Sequence, residues 1–244
     1  MEIRKLLQVG STEIEDDASK NLIRLIDLTT SSSFMQYGEV RLANADGRFS
    51  DTFKKGQFFS ADFSLGSEPS RFFTGVVYEV FESTIVILKV RGNAEKLKTK
   101  PLKKSFNKVG AADVIRYCLE GTGLSYSLGN VAPVRRHTYL IAGGSANEEI
   151  IRANHFFGLG FAPWFDKDGK LVLKTSVQNK KKTDVEFNGK DFTRFENGIL
   201  ETFFIPELEV YSEFTILDQK YVANTHRIYV DGNKSKSIIS VEKA

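Results

Sequence analysis

Between Glu39 and Gly92 the chain alternates apolar and polar residues with a period of two. Phe59, Ala61, Phe63 and Leu65 are interleaved with Ser60, Asp62 and Ser64. Phe72, Thr74, Val76, Tyr78 and Val80 follow along one side of the next strand. Thr84, Val86, Leu88 and Val90 line one side of the one after. Successive side chains of a strand point to opposite faces, so this pattern predicts a half-buried antiparallel sheet. The first strand of the group ends in a tight turn at Asn44-Ala45-Asp46-Gly47. Ahead of it, Glu2 to Val9 predicts a strand. The acidic run Glu13-Ile14-Glu15-Asp16-Asp17 reads as a loop or hairpin tip, and Leu22 to Thr30 as the return strand. The block then holds about six strands, an ordinary size for a sheet or small barrel.

At Gly110 the period changes. Ala111, Val114, Ile115, Cys118 and Leu119 fall at helical spacing, and Gly121 supplies a left-handed stop. Tyr139 to Ala142 predicts a short strand. Ser145 with Glu148 three residues on forms a capping box for a second helix. Its inner face is Ile150, Ile151, Asn154 and Phe157, and Gly158 ends it. Phe161 to Phe165 and Lys170 to Lys174 predict strands joined by Asp166-Lys167-Asp168-Gly169, a hairpin signal. Gln178 to Thr183 reads as a polar linker. Strands resume at Val185, Phe187, Phe192 and Phe195. Three longer ones follow at Leu208–Leu217, Tyr221–Val230 and Ser237–Val241, with a turn at Asp231-Gly232-Asn233. The expected class is mainly β (α+β). The expected parts are an N-terminal β-barrel block at 1–92, an α/β insertion at 93–185 and a C-terminal β-barrel block at 186–244.

Composition narrows the function classes only slightly. The 244 residues can bury a sizeable core. Twenty Phe against two Met and one Trp fits a Phe-rich β core, or a Phe-rich subunit interface. A formal net charge of +3 is too small to argue for nucleic acid. Lys96, Lys98, Lys100, Lys103, Lys104 and Lys108 cluster, and Lys180, Lys181 and Lys182 form a second run; solvated loops are the plainer reading and phosphate binding the sharper one. The lone Cys118 excludes an internal disulfide framework and reads as a small buried hydrophobe. The first ten residues lack the features of a signal peptide, and no apolar run is long enough to span a bilayer as a helix. The expectation is a chain made in the cytoplasm.

Candidate chemistry is sparse. His137, His155 and His226 do not fall at metal-binding spacing. His155 reads as a packed or surface residue, and His226 as a satisfied histidine in or near a core. Gly143-Gly144-Ser145 matches half of a nucleophile elbow, with Asn147 where the closing Gly belongs. Gly158-Leu159-Gly160 lacks the third glycine of a dinucleotide fingerprint. No residue is singled out as catalytic, cofactor-binding or metal-ligating, and no cofactor is expected.

Several segments, in order, resemble a known family. Arg41-Leu42-Ala43-Asn44-Ala45-Asp46-Gly47-Arg48-Phe49, Lys55-Gly56-Gln57 and Phe73-Thr74-Gly75-Val76-Val77 resemble the N-terminal barrel of phage tail hub proteins, the late-control D type and the baseplate hubs of contractile tails. Val90-Arg91-Gly92 resembles the exit from that barrel. The stretch from Phe106 to Ile115 is similar to the next element, where a basic segment enters a helix. Gly158-Leu159-Gly160-Phe161 with Asp168-Gly169-Lys170-Leu171 is similar to the small hairpin module after it. Tyr221-Val222 and His226 resemble returning barrel strands. The resemblance implies two tail-tube-like barrels per chain and a homotrimer forming a pseudo-sixfold ring. Such a ring is a symmetry adaptor between a sixfold tail tube and a threefold spike or central fibre. Implied partners are the chain itself, the tail tube or distal tail protein, the spike or central fibre protein and other baseplate proteins. DNA would be passing cargo only, no membrane is involved, and the location is the virion tail tip. Many family members are longer, so an appended lysozyme function is not implied. The other function classes are a cell-wall hydrolase, which would need paired carboxylates in a pocket, and a monomeric ligand-binding β-barrel.

Overall fold

The alternating segments are strands, and their apolar sides face inward. The computed structural model describes residues 3–16, 20–66, 68–98, 101–131, 135–232 and 234–244. The N-terminal block contains β1 (Arg4–Val9), β2 (Thr12–Asp16), β3 (Ile23–Ser31), β4 (Tyr37–Ala43), β5 (Phe58–Ser64), β6 (Ser70–Phe81) and β7 (Ile85–Gly92). Leu7, Val9, Leu42, Phe59, Phe63, Val86 and Leu88 are fully or almost fully buried in one core. At about 25 cal/mol per Å² of apolar surface, each such side chain stabilises the fold by roughly 1.5–3 kcal/mol.

Three expectations here need correction. The acidic run is not a loop. The chain turns at Gly10, where φ is +60°, and the run pairs with β1 as strand β2. Ile14 faces the core, and the buried Asp16 carboxylate is neutralised by Lys5 Nζ at 3.0 Å; Asp17 lies outside the described residues. Segment 22–30 does not return to the first strand, because β3 pairs with β4 and with a C-terminal strand. In β6 Phe72, the extra residue of a bulge opposite Ala61/Asp62, is buried in the core beside Phe73 and Val77, and Val80 packs against it, while Val76 and Tyr78 lie on the other side. A bulge between Val77 and Glu79 shifts the register. Alternation alone does not locate such an extra residue.

The insertion contains α1 (Glu95–Lys98), β8 (Lys104–Gly110), α2 (Ala111–Leu119), β9 (Tyr126–Leu128), β10 (Arg135–Ile141), α3 (Ala146–Phe156), β11 (Trp164–Phe165), β12 (Leu171–Leu173) and α4 (Ser176–Asn179). The two helices form where the period is 3.6. Ser145 Oγ accepts from Glu148 N–H while the Glu148 carboxylate accepts from Ser145 N–H, as the capping box requires. Val114, Ile115, Cys118, Ile150, Ala153 and Phe157 share a second core. Ile151 is exposed instead, and Glu149 is buried in its place with its charge held by Arg152 at 2.6 Å. The basic segment entering α2 is itself a strand, β8, paired with β10, which starts earlier than expected. The expected strand at Phe161 to Phe165 shrinks to β11, with Phe161 making a lone bridge to Thr175.

The C-terminal block contains β13 (Lys181–Phe187), β14 (Phe192–Glu196), β15 (Ile199–Thr202), β16 (Ser212–Ile216), β17 (Gln219–Asp231) and β18 (Lys234–Lys243). The expected linker at 178–183 is thus occupied by α4 and the start of β13. The expected strand at 208–217 is regular only from Ser212 to Ile216; the turn residue Asn233 is outside the described residues. Phe187, Leu200, Phe214 and Ile239 form a third core. The two terminal blocks are not separate sheets: β3 pairs with β17, so one sheet runs through both.

The C-terminal block also repeats the arrangement of the N-terminal one. The first runs β1-β5-β6-β7-β4-β3 and the second β13-β16-β17-β18-β15-β14. Matched in chain order, β3 corresponds to β14, β4 to β15, β5 to β16, β6 to β17 and β7 to β18. Their irregularities coincide. Register shifts occur at Ile23/Leu25 and Phe192/Arg194, and again at Val77/Glu79 and Ala223/Thr225. Gly56 N–H donates to Val77 O and Tyr211 N–H to Ala223 O, both at 2.8 Å, and both donors have positive φ. Phe59 and Phe214 occupy matching core positions. The repeats differ in that β1 is antiparallel to β5 whereas β13 is parallel to β16, and β2 has no counterpart.

Candidate assembly surfaces

The joint between the two repeats is built along β17. Before its bulge, β17 pairs with β16; after it, Thr225 to Asp231 pair with Ser31 to Leu25 of β3. Arg227 clamps Asp27 across this joint with two parallel bonds, Nε–Oδ1 at 2.6 Å and Nη2–Oδ2 at 2.5 Å. Fork-shaped guanidinium–carboxylate pairs fix orientation as well as adding attraction.

His226 lies in the same strand and is wholly buried. Its Nδ1–H donates to Leu208 O at 2.7 Å, so Nε2 is the acceptor and takes the Ser237 hydroxyl at 2.9 Å. Ser237 Oγ in turn accepts from Ile205 N–H. Phe72 of the N-terminal repeat meets the imidazole edge-on at 5.0 Å. Burial penalises the charged ring and pushes its pKa down to about 4, against a smaller opposing effect of the Leu208 carbonyl. The expectation of a satisfied core histidine is met, and its place between the repeats is new.

The insertion docks on the N-terminal repeat through its β11–β12 hairpin. Gln36 Nε2 donates to Phe165 O at 2.7 Å, Thr74 Oγ1 to Lys167 O at 2.7 Å, and Asn93 Nδ2 to Gly169 O at 2.8 Å. Asp166 Oδ1 closes the turn by accepting from Asp168 and Lys170 N–H. Burial, with Asp168 and Glu209 nearby, raises its pKa. Gly169 has φ +74°, and a Cβ there would collide with Asn93 and Thr74. The sequence signalled a hairpin at this point but gave no sign of these contacts.

The remaining candidates do not converge. His137 and His155 are exposed on β10 and α3, apart from His226. Cys118 is buried. Ser145 is spent on its helix cap. Among the described residues no three His, Cys, Asp or Glu side chains are grouped to hold a metal ion. No helix there is long and apolar enough to cross a membrane. The lysines lie on the insertion and on β13. Lys98 pairs with Glu95 at 2.7 Å and Lys181 with Glu209, while Lys104 sits over the Tyr117 ring at 4.5 Å. Lys103, Lys108, Lys180 and Lys182 are exposed, and Lys100 is outside the described residues. The outer edge of β14 and the end of β6 carry no neighbouring strand among the described residues, and Phe81, Ile85 and Ile199 are exposed beside them.

No protein-family model matches the sequence, and no curated protein matches it. Solved structures do match. The 43 kDa tail protein of prophage MuSo2 from Shewanella oneidensis superposes with a TM-score of 0.76, covering 99% of this chain and 98% of that one at 13% identity. A tail protein from Neisseria meningitidis gives 0.71 over 99% and 96% at 8% identity. An Escherichia coli component of the type VI secretion system, described as structurally similar to T4 bacteriophage tail proteins, gives 0.66 over 98% and 74% at 9% identity. The chain thus has the fold of phage tail proteins of known structure.

Proposed function

We propose that the chain is a structural tail hub of a phage or phage-like injection machine, a homotrimeric symmetry adaptor joining a sixfold tail tube to a threefold spike or central fibre. The observation that carries this reading is the duplicated strand arrangement in one continuous sheet. Three copies of a two-repeat chain present six similar units to a sixfold tube. The insertion follows only the first repeat, so three copies of it break that symmetry to threefold on another side. The division into an N-terminal block at 1–92, an insertion at 93–185 and a C-terminal block at 186–244 belongs to this proposal. So do the partners: the tail tube or distal tail protein, the spike or central fibre protein and neighbouring baseplate proteins.

The chain works mechanically, without catalysis, at the virion tail tip. DNA passes through the ring as cargo. A basic wall would retain its phosphates, so the lysines at 96–108 and 180–182 face away from the lumen. Electron microscopy of the native assembly tests the proposal. Three copies around the tail axis support it; one copy, or six making identical contacts, rejects it. Peptidoglycan hydrolysis by the purified chain, lost on a single carboxylate substitution, would instead establish an enzyme.

A further inference from the structure

The charges of this chain are divided unevenly. Residues 93–185 hold 16 Lys and Arg against 8 Asp and Glu, while the two terminal blocks together hold 18 against 23. Where a basic unit lies against acid-rich ones, carboxylates opposite lysines are the favoured arrangement. At one boundary between the insertion and the N-terminal repeat, cations stand on both sides instead. There α1 presents Lys96 and Lys98 to a groove whose other wall presents Lys55, Lys89 and Arg91. We propose that this groove receives an extended segment of a partner protein, rich in Asp and Glu and carrying a large apolar residue.

The groove consists of two adjoining clefts of about 630 and 470 Å³, which share Tyr78 and Glu95. Both sizes are within the range of binding clefts. The first cleft lies between the β3–β4 connection, strands β4, β6 and β7, α1 and the first turn of α3. The second lies between the turn at Gly56, β6, α1 and the residues Gly121 and Thr122 that follow α2. Five cations line the groove against two carboxylates. The carboxylates are already matched: Glu79 accepts from Lys89 at 2.9 Å, and Glu95 from Arg91 at 3.0 Å and Lys98 at 2.7 Å. Lys55 and Arg91 stand over the Tyr78 ring at 5.0 and 3.6 Å, so cations also flank the place where the clefts meet. Like charges facing across a cleft repel, and an anionic occupant relieves that repulsion.

Apolar chemistry is confined to the first cleft. Met35 is 71% exposed and Tyr37 56%, and both line it. Large side chains left this open are what the apolar anchor of a partner covers. Asn147, on the same cleft, has a buried Oδ1 that accepts no hydrogen bond, and the N–H of an incoming backbone is a fitting donor. These features select a peptide over a nucleic acid. A run of phosphates would meet Glu79 and Glu95, and the Tyr78 ring, already under two cations, is not open to stacking by a base. A peptide can place its carboxylates between Glu79 and Glu95 and donate its N–H groups to them. Nothing in this site depends on how many copies surround the tail axis.

The test uses the full chain and a fluorescein-labelled decapeptide of Glu and Asp with two Phe, followed by polarisation. The controls are the same peptide with Lys at every acidic position, and a decathymidine oligonucleotide. The acidic peptide should bind at least about tenfold more tightly than its basic counterpart, and should weaken severalfold on raising salt from about 50 to about 300 mM. Lys55→Glu should weaken it about tenfold and Met35→Ser about threefold, with unchanged melting temperatures. Lys182→Glu makes the same charge change on the exposed part of β13 and should leave binding as it was. Equal losses from Lys55→Glu and Lys182→Glu would mean attraction to overall charge and would overturn the groove. No binding of the acidic peptide, or tighter binding of the oligonucleotide, would overturn the partner. In the native assembly, three copies with this groove empty would reject the inference and leave the hub reading standing; a segment seated in the groove of a single copy would do the reverse.

Discussion

Lowering the pH should destabilise this protein through His226 specifically. In the unfolded chain its imidazole titrates near 6.5; in the folded protein burial holds it down to about 4. Between these values the unfolded state binds a proton that the folded state refuses. The stability associated with neutral His226 is therefore complete above pH 6.5, declines as pH falls through the window, and levels off below about 4. A gap of about 2.5 units at 1.36 kcal/mol each gives about 3 kcal/mol. No partner compensates for the proton, because Leu208 O already takes Nδ1–H and Ser237 is committed to Nε2 and Ile205. The assay is urea unfolding from pH 7 to pH 4 for the natural protein and His226→Gln. Carboxylates titrate alike in both, and the exposed His137 and His155 are shared. Above pH 6.5 the variant should be the less stable of the two, having lost two buried hydrogen bonds. That difference should shrink by about 3 kcal/mol on going to pH 4. Parallel pH profiles would refute the reasoning, since they would mean that the ring is not kept neutral by burial.

Phe59→Ala and Phe214→Ala, at matching positions in the two repeats, should each cost about 3–5 kcal/mol by chemical denaturation, the usual result of removing a buried ring. A cost below about 1 kcal/mol at either would show that the site is not packed as described. Gly169→Ala should cost about 2 kcal/mol or more, from left-handed backbone strain and the clash with Asn93 and Thr74. Hydrogen exchange should quicken first at the β11–β12 hairpin, and unchanged exchange there would contradict the docking role. Asp27→Ala and Arg227→Ala in a double-mutant cycle should give a coupling of only about 1 kcal/mol, because the Arg227 side chain is 44% exposed; a coupling of 3 kcal/mol or more would mean the pair is drier than this.

Local physics was legible in the amino-acid sequence. Period-2 runs identified β4 to β7. Helical spacing located α2, and Ser145 with Glu148 marked the start of α3. Each depends on residues within a turn or two of one another. The inward side of His226 was legible from Ile228 and Val230, whereas Val222, ahead of the bulge at Ala223/Thr225, faces the other way and packs with Trp164 and Tyr211. Where a local rule competed with a distant partner, the rule misled. The charge of Glu13 to Asp16 suggested a loop, but Lys5 and the β1 pairing hold it as a strand. Two bulges in β6 set Phe72 and Phe73 side by side in the core and turn Val77 inward in place of Val76. The polar residues from Gln178 to Thr183 suggested a linker, but β16 offers β13 a neighbour. Only the tertiary structure decided that β3 joins β17, some 200 positions away, so that one sheet serves both repeats. Two barrel blocks were expected from the strand pattern and the resemblance, but no repeated residues mark the strand-by-strand correspondence of the two. What the repeats share is the hydrogen-bond register and the position of bulges, which backbone geometry sets, while apolar side chains of many shapes satisfy the same core.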